Sequence, residues 1–223
     1  MPALRAALFD LDNTLMDRRG ALLRYIALFF AHFSKQIDGM TQAQVEAIFV
    51  EADGGGYTPK PIALQKIQQS LRWNRRPSLD EMRTHYHDAY PHCALEMPGA
   101  KKTLSAFRER GLKTGIITNG TTRTQNIKID RLGFRPLIDV AIVSETAGVK
   151  KPDARIFALA LEGTQTAAEE TLFVGDHPQN DAIGAQAVGM QVAWMRGYHP
   201  WPEGEKEPQW QIDRLTELFN LHF

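Results

Sequence analysis

From Gly99 to Met195 the chain alternates short apolar runs of strand type with longer stretches of helical periodicity, and that alternation admits few folds. Gly99 to Arg110 reads as a helix stopped by Gly111, and Thr114 to Thr118 as a strand running into Asn119-Gly120. Thr121 to Leu132 reads as a helix stopped by Gly133, and Val140 to Val143 as a strand. Asp153 to Leu161 is a predicted helix with Ile156, Leu159 and Ala160 on one face and Gly163 after it. Thr171 to Val174 is a strand leading into Gly175-Asp176, Asn180 to Val188 a helix, and Gln191 to Met195 a strand. Strands separated by helices in this way imply an α/β fold, a parallel sheet covered by helices on both faces. The apolar run starting at Ala6 and ending at Leu11 belongs to the same sheet.

Residues 15–95 break the alternation. They hold no convincing strand, while Leu22, Ile26, Phe29, Phe30 and Phe33 recur at helical spacing. Thr41-x-x-Gln44 and Ser78-x-x-Glu81 have the pattern of capping boxes, which start helices. Four helices are expected, at Arg18–Gln36, Gln42–Glu51, Pro61–Trp73 and Leu79–Tyr90. The sheet domain (1–14 and 96–223) is therefore expected to be split by an inserted all-helical domain (15–95). The tail "WPEGEKEPQW" is expected to run into a last helix.

Composition narrows the class of function. Lys+Arg and Asp+Glu balance at 26 each, so the chain offers no electrostatic reason to bind nucleic acid. Cys93 is the one cysteine, which excludes an intrachain disulfide and fits a reducing compartment. The most apolar helix candidate, Ala21 to Phe33, is shorter than the ~20 apolar residues that span a bilayer. The expectation is a cytoplasmic protein without a membrane anchor.

Ligands of open parallel sheets bind beyond the carboxyl ends of the strands. Asp10, Asp12 and Thr14 follow the first strand; Thr118, Asn119 and Gly120 follow the second. Lys150, Lys151 and Pro152 precede the helix after the third; Gly175, Asp176, Asn180 and Asp181 follow the fourth. Asp10 and Asp12 fall on the same side of an extended segment, where like charges repel. Together these groups supply carboxylates, a hydroxyl, backbone donors and an ammonium. That set suits a hard divalent cation such as Mg²⁺, which takes carboxylate, water and phosphate oxygens.

In that order, Asp10-x-Asp12-x-Thr14, Thr118-Asn119, Lys151-Pro152 and Gly175-Asp176-x4-Asp181 resemble the four motifs of the haloacid dehalogenase superfamily. The helical insertion matches that family's first-type cap in position and size. The resemblance implies a Rossmann-like core with a cap and a Mg²⁺-dependent phosphomonoesterase. Asp10 would be the nucleophile that forms an aspartyl phosphate, and Asp12 the general acid and then base. Asp10, the Asp12 carbonyl and Asp176 would hold the metal, with Asp181 acting through water or by orienting the others. Thr118 and Asn119 would bind the phosphoryl group, and Lys151 would neutralise its charge. The family's dehalogenases lack the second aspartate, so Asp12 favours phosphate-ester hydrolysis over carbon–halogen cleavage. The resemblance leaves open a phosphotransferase of mutase type and a non-catalytic binding protein on the same core.

Other features carry two readings. Lys150 is expected in solvent and Lys151 in the site. Asp181 is either a metal-site residue or an acid in the first turn of its helix. His177 either lines the site or sits at the surface. His85, His87, His92 and Cys93 invite a zinc reading, but i, i+2 histidines do not share a helix face. Gly54-Gly55-Gly56-Tyr57 is a flexible turn, or the loop that selects substrate, with Tyr57 stacking on a ring and Lys60 meeting an anionic group. The expected substrate is a small phosphorylated metabolite. "DLDNTL" and the tail look most like family members acting on nucleoside monophosphates or acylneuraminate 9-phosphate, with phosphoglycolate-phosphatase-like members close behind. A monomer or a homodimer is expected.

Overall fold

The computed structural model describes residues 3–221. The chain divides into two compact units, one running to Asp17 and resuming at Leu95, the other spanning Arg18–Ala94. The divisions thus fall at Asp17 and Leu95 rather than at 14 and 96.

The first unit is built on a six-stranded sheet. Its strands are β1 (Ala6–Phe9), β2 (Lys113–Thr118), β3 (Val140–Val143), β4 (Thr171–Gly175), β5 (Gln191–Met195) and β6 (Trp210–Ile212). They pair in the order β3-β2-β1-β4-β5-β6, all parallel. β1 is central, with Phe9 opposite Ile116 on one side and Val174 on the other. The chain leaves β1 toward β3 and later returns toward β6. Loops after β1, β2 and β4 therefore meet where the strand order reverses, the place where such sheets bind ligands. On one face Leu8, Ile117 and Phe173 pack with Ile156, Phe157 and Ala160. On the other, Phe9 meets Phe107 with ring centroids 6.0 Å apart.

Helices α1–α4 belong to the second unit: α1 (Arg18–Phe33), α2 (Gln42–Asp53), α3 (Lys60–Ser70) and α4 (Leu79–Ala89). In the sheet unit follow α5 (Ala100–Glu109), α6 (Thr122–Arg131), the single turn α7 (Ser144–Ala147), α8 (Ala154–Thr164) and α9 (Gly184–Ala187). Three expectations are corrected. Gly163 lies inside α8, which ends at Thr164 and is capped by Gln165 at φ +57, and Leu159 on that helix is exposed. The expected helix from Asn180 is a π-helical turn, Pro178–Ile183, that continues as α9. The tail adds the strand β6 before a 3-10 helix at Leu215–Asn220, because Trp210 and Ile212 fill the edge beside β5.

In the helical unit both capping boxes form: Thr41 with Gln44 and Ser78 with Glu81. The core is aromatic. Tyr25 meets Tyr86 edge-on at 5.0 Å and Phe29 meets Phe49 at 4.8 Å, while Phe30 is only half-buried. Geometries of this kind contribute about 0.5–1.5 kcal/mol per pair beyond area burial. His85 takes part in this core: its Nδ1 lies 3.2 Å from the Tyr25 hydroxyl and its ring lies against His32. No helix among the described residues is long and apolar enough to cross a membrane.

Candidate active site

The carboxyl edge of the sheet gathers Asp10, Asp176 and Asp181, all buried. One carboxylate oxygen from each lies within 4.8 Å of the others. Asp10 extends β1, its N–H donating to the Val174 carbonyl at 2.8 Å. Asp176 follows β4, and its main-chain carbonyl accepts the Trp194 indole N–H at 2.9 Å. Asp181 sits in the π-helical turn, where its Oδ2 accepts the His177 N–H at 3.0 Å. Gly175 makes this approach possible: a Cβ there would lie 2.5 Å from that of Asp181.

One buried ammonium serves the cluster. Lys151 Nζ donates to Asp10 Oδ1 and to Asp181 Oδ1, each at 2.6 Å. Burial alone would lower the Lys151 pKa, but the charges of Asp10 and Asp181 overcome it and hold the group above its ordinary value. Burial pushes the Asp10 carboxyl up to about 7, with Lys151 pulling down and Asp181 and Asp12 pushing up. Asp176 is raised well above the usual carboxylate range, by burial first and then by the charges of Asp10 and Asp181. Three buried carboxylates against one cation leave excess negative charge in a low-dielectric place. A hard divalent cation fits that donor set and would favour the ionised carboxylates.

Asp12 faces another partner. Lys128, buried on α6, donates to Asp12 Oδ1 at 2.8 Å and Oδ2 at 2.9 Å. Gln125 Nε2, one turn earlier, donates to Asp12 Oδ2 at 2.9 Å and to Thr118 Oγ1 at 2.5 Å. The Thr118 hydroxyl thus accepts from Gln125 and keeps its own proton for another acceptor. Asn119 follows Thr118. Its side-chain amide donates to the Lys151 carbonyl at 3.1 Å and accepts the Lys151 N–H at 2.9 Å. It braces the lysine loop, so its side chain is already committed. Lys150 is exposed.

Lys128, Gln125 and Asn13 are the residues the sequence pattern does not mark. Asn13, at φ +64, donates to Asp176 Oδ2 at 3.1 Å; its place inside Asp-x-Asp-Asn-Thr, where asparagine tolerates the left-handed region, was the available signal. Gln125 and Lys128 stand three apart and so share a helix face. His177 caps the turn, its Nδ1 accepting the Gln179 and Asn180 N–H groups at 3.1 and 3.2 Å. Its ring lies tilted against that of His199, with centroids 4.8 Å apart, and His199 Nε2 is 3.9 Å from Asp176 Oδ2.

Two residues expected to select substrate lie in the helical unit. Tyr57 is 45% exposed at the end of the glycine turn. Lys60 is paired within the helical unit: its Nζ donates to Asp53 Oδ1 at 2.9 Å and lies over the Tyr86 ring. Asp53 also accepts from Arg18 Nη1 and Nη2, at 2.7 and 2.8 Å. Gly56, at φ +101, lets that arginine pass, since a Cβ would come within 2.4 Å of its guanidinium carbon.

A parallel sheet carrying this carboxylate edge defines a haloacid dehalogenase-like hydrolase; residues 7–195 match that family's model, and the chain belongs to the family. It is 29% identical over 219 residues to the pyrimidine 5'-nucleotidase YjjG of Escherichia coli (strain K12), covering 96% of this chain and 95% of that one. It is 30% identical over 239 residues to the ribulose-1,5-bisphosphate 5-phosphatase of Halopiger xanaduensis, covering 97% and 98%. The putative HAD-hydrolase YfnB from Bacillus subtilis, solved bound to magnesium, has the same fold, with a TM-score of 0.74 at 23% identity over 98% of each chain.

Proposed function

We propose that this protein is a Mg²⁺-dependent phosphomonoesterase that hydrolyses a small phosphorylated metabolite through an aspartyl phosphate on Asp10. The observation that carries this reading is the Lys151 ammonium bridging Asp10 and Asp181 at 2.6 Å, with Asp176 completing the buried carboxylate trio. Asp10, the Asp12 carbonyl and Asp176 would hold the cation, with Asp181 ligating through water or orienting the others. A bound Mg²⁺ would neutralise charge on the phosphoryl oxygens. Asp10 attacks phosphorus while Asp12 gives its proton to the leaving oxygen; Asp12 then takes a proton from the water that hydrolyses the intermediate. The Thr118 hydroxyl donates to the phosphoryl group, and Lys151 balances its charge and fixes Asp10.

The relatives' names, a nucleotidase and a sugar-bisphosphate phosphatase, support a phosphoric monoester and leave the leaving group to assay. Tyr57, at the end of the exposed glycine turn, is the residue proposed to recognise a ring in that group. The test is phosphate release from a panel of nucleoside monophosphates and sugar phosphates. Turnover should require Mg²⁺, stop on chelation, return on adding Mg²⁺ back, and fall at least ~10³-fold in Asp10→Asn. Activity that survives thorough chelation, or persists in Asp10→Asn, would remove the mechanism.

A further inference from the structure

Helix α6 buries its polar side. Its buried residues are Gln125, Lys128 and Ile129, although a surface helix ordinarily turns an apolar stripe to the core. A buried ammonium is costly unless charge and hydrogen bonds compensate it. Lys128 finds compensation in both oxygens of Asp12, at 2.8 and 2.9 Å, its side chain 5% exposed against 24% for the aspartate. Gln125 ties Asp12 Oδ2 to Thr118 Oγ1 through the same Nε2. The carboxylate beside the nucleophile is therefore held from α6, while Lys151 holds the nucleophile itself.

We infer that Lys128 is a positioning residue for the acid–base step, fixing the Asp12 carboxyl and stabilising the negative charge that develops on it. The inference rests on the phosphomonoesterase reading. In the first step a bond forms between Asp10 Oδ and phosphorus and the bond from phosphorus to the leaving oxygen breaks. The proton of the Asp12 carboxyl passes to that oxygen, and Asp12 becomes a carboxylate. An ammonium already placed against both of its oxygens stabilises that charge without reorganisation. Gln125 extends the hold to Thr118, so acid and phosphoryl donor keep one spacing.

This role depends on the leaving group. An alkyl ester leaves as an alkoxide that needs the proton; a dinitrophenyl ester leaves as a stable phenolate that does not. Lys128 therefore matters for the first ester and little for the second. The experiment measures kcat/KM, which reports formation of the phosphoenzyme, for an alkyl phosphate and for 2,4-dinitrophenyl phosphate. Both are measured on the same preparations of the wild type, Lys128→Met and Lys128→Arg. The ratio of the two values cancels any difference in the folded fraction. In Lys128→Met the alkyl-to-dinitrophenyl ratio should fall about 10–100-fold, the usual effect of losing a group that orients a site residue. Lys128→Arg, which keeps a cation with N–H donors, should bring the ratio back to within about threefold of wild type. A ratio unchanged in Lys128→Met, or not recovered in Lys128→Arg, overturns the inference. Failure of the wild type to release phosphate from either ester overturns instead the phosphomonoesterase reading beneath it.

Discussion

Gly175→Ala tests the geometry of the carboxylate cluster with one added methyl group. The new Cβ would lie 2.5 Å from Asp181 Cβ and 2.6 Å from its Cγ. Carbon atoms settle at about 3.5–4.0 Å, so Asp181 must retreat by roughly 1 Å. It cannot retreat freely, because Lys151 Nζ holds it at 2.6 Å and the His177 N–H at 3.0 Å. Overpacking of this kind costs about 1–3 kcal/mol. In a chain of this size that corresponds to a fall in Tm of about 2–4 °C per kcal/mol. The larger effect should fall on the metal. Disturbing a residue that ligates or orients a metal site typically weakens affinity or activity about 10–100-fold. Phosphate release measured against Mg²⁺ concentration should show half-saturation moved upward by that factor. Gly111→Ala is the control: its φ of +82 strains any side chain, yet nothing lies within 4 Å of the added Cβ. That variant should lose stability and keep the wild-type Mg²⁺ curve. A folded Gly175→Ala protein with the wild-type Mg²⁺ curve would show that Asp181 plays no part in the metal site.

Three further outcomes are expected. Lys151→Met should lower kcat/KM by at least about 10²-fold; since Lys151 pulls the Asp10 pKa down and Asp10 must be ionised to attack, the acidic limb of the pH–rate profile should move to higher pH, and an unmoved limb would argue against the Asp10 assignment. Burial raises the Asp53 carboxyl, but hydrogen bonds and charge from Arg18 and Lys60 overcome it, so its folded pKa lies below the ordinary 3.8; its stabilisation is complete above 3.8 and is lost as pH falls through the folded value. Asp53→Asn should therefore cost about 2–3 kcal/mol in urea unfolding at pH 7, with the gap to wild type narrowing below 3.8, and a gap independent of pH would refute the assignment. Tyr57→Ala should lower kcat/KM about tenfold for a ring-bearing substrate and barely change it for a small generic ester; equal effects on both would reduce the glycine turn to a helix connector.

Asp10, Asp12 and Asp176 were legible as groups at the carboxyl edge because strand ends are legible, each following the apolar run of β1 or β4. Asp181, in the turn beyond β4, was marked only by its spacing from Asp176 in the motif. The helix starts at Thr41 and Ser78 were legible for the same local reason, since a capping box is written within four residues. β6 was not: Trp210-Gln211-Ile212 follows a run rich in proline and glutamate and is too short to declare a period. Gly163 misled because glycine usually marks a helix stop, whereas here Gln165 adopts the left-handed conformation and Gly163 faces Val140 of β3, where a Cβ would come within 2.9 Å.

The partners of Asp12 were hidden for a deeper reason. Thr122–Arg131 is polar almost all round, and a polar helix face is ordinarily read as the solvated one. Hydrophobic periodicity identifies the inner side of a helix only when that side packs on apolar core. The inner side of α6 meets a strand end where Asp12 stands, so the residues complementary to it are a cation and an amide. Gln125 and Lys128, three apart, are what complementarity to a carboxylate and a hydroxyl requires at that place. The signal lies in the pairing of α6 with Asp12, across 116 residues of chain for Lys128. No window along the sequence contains both partners, so Asp12 was visible alone while the groups that hold it required the folded sheet.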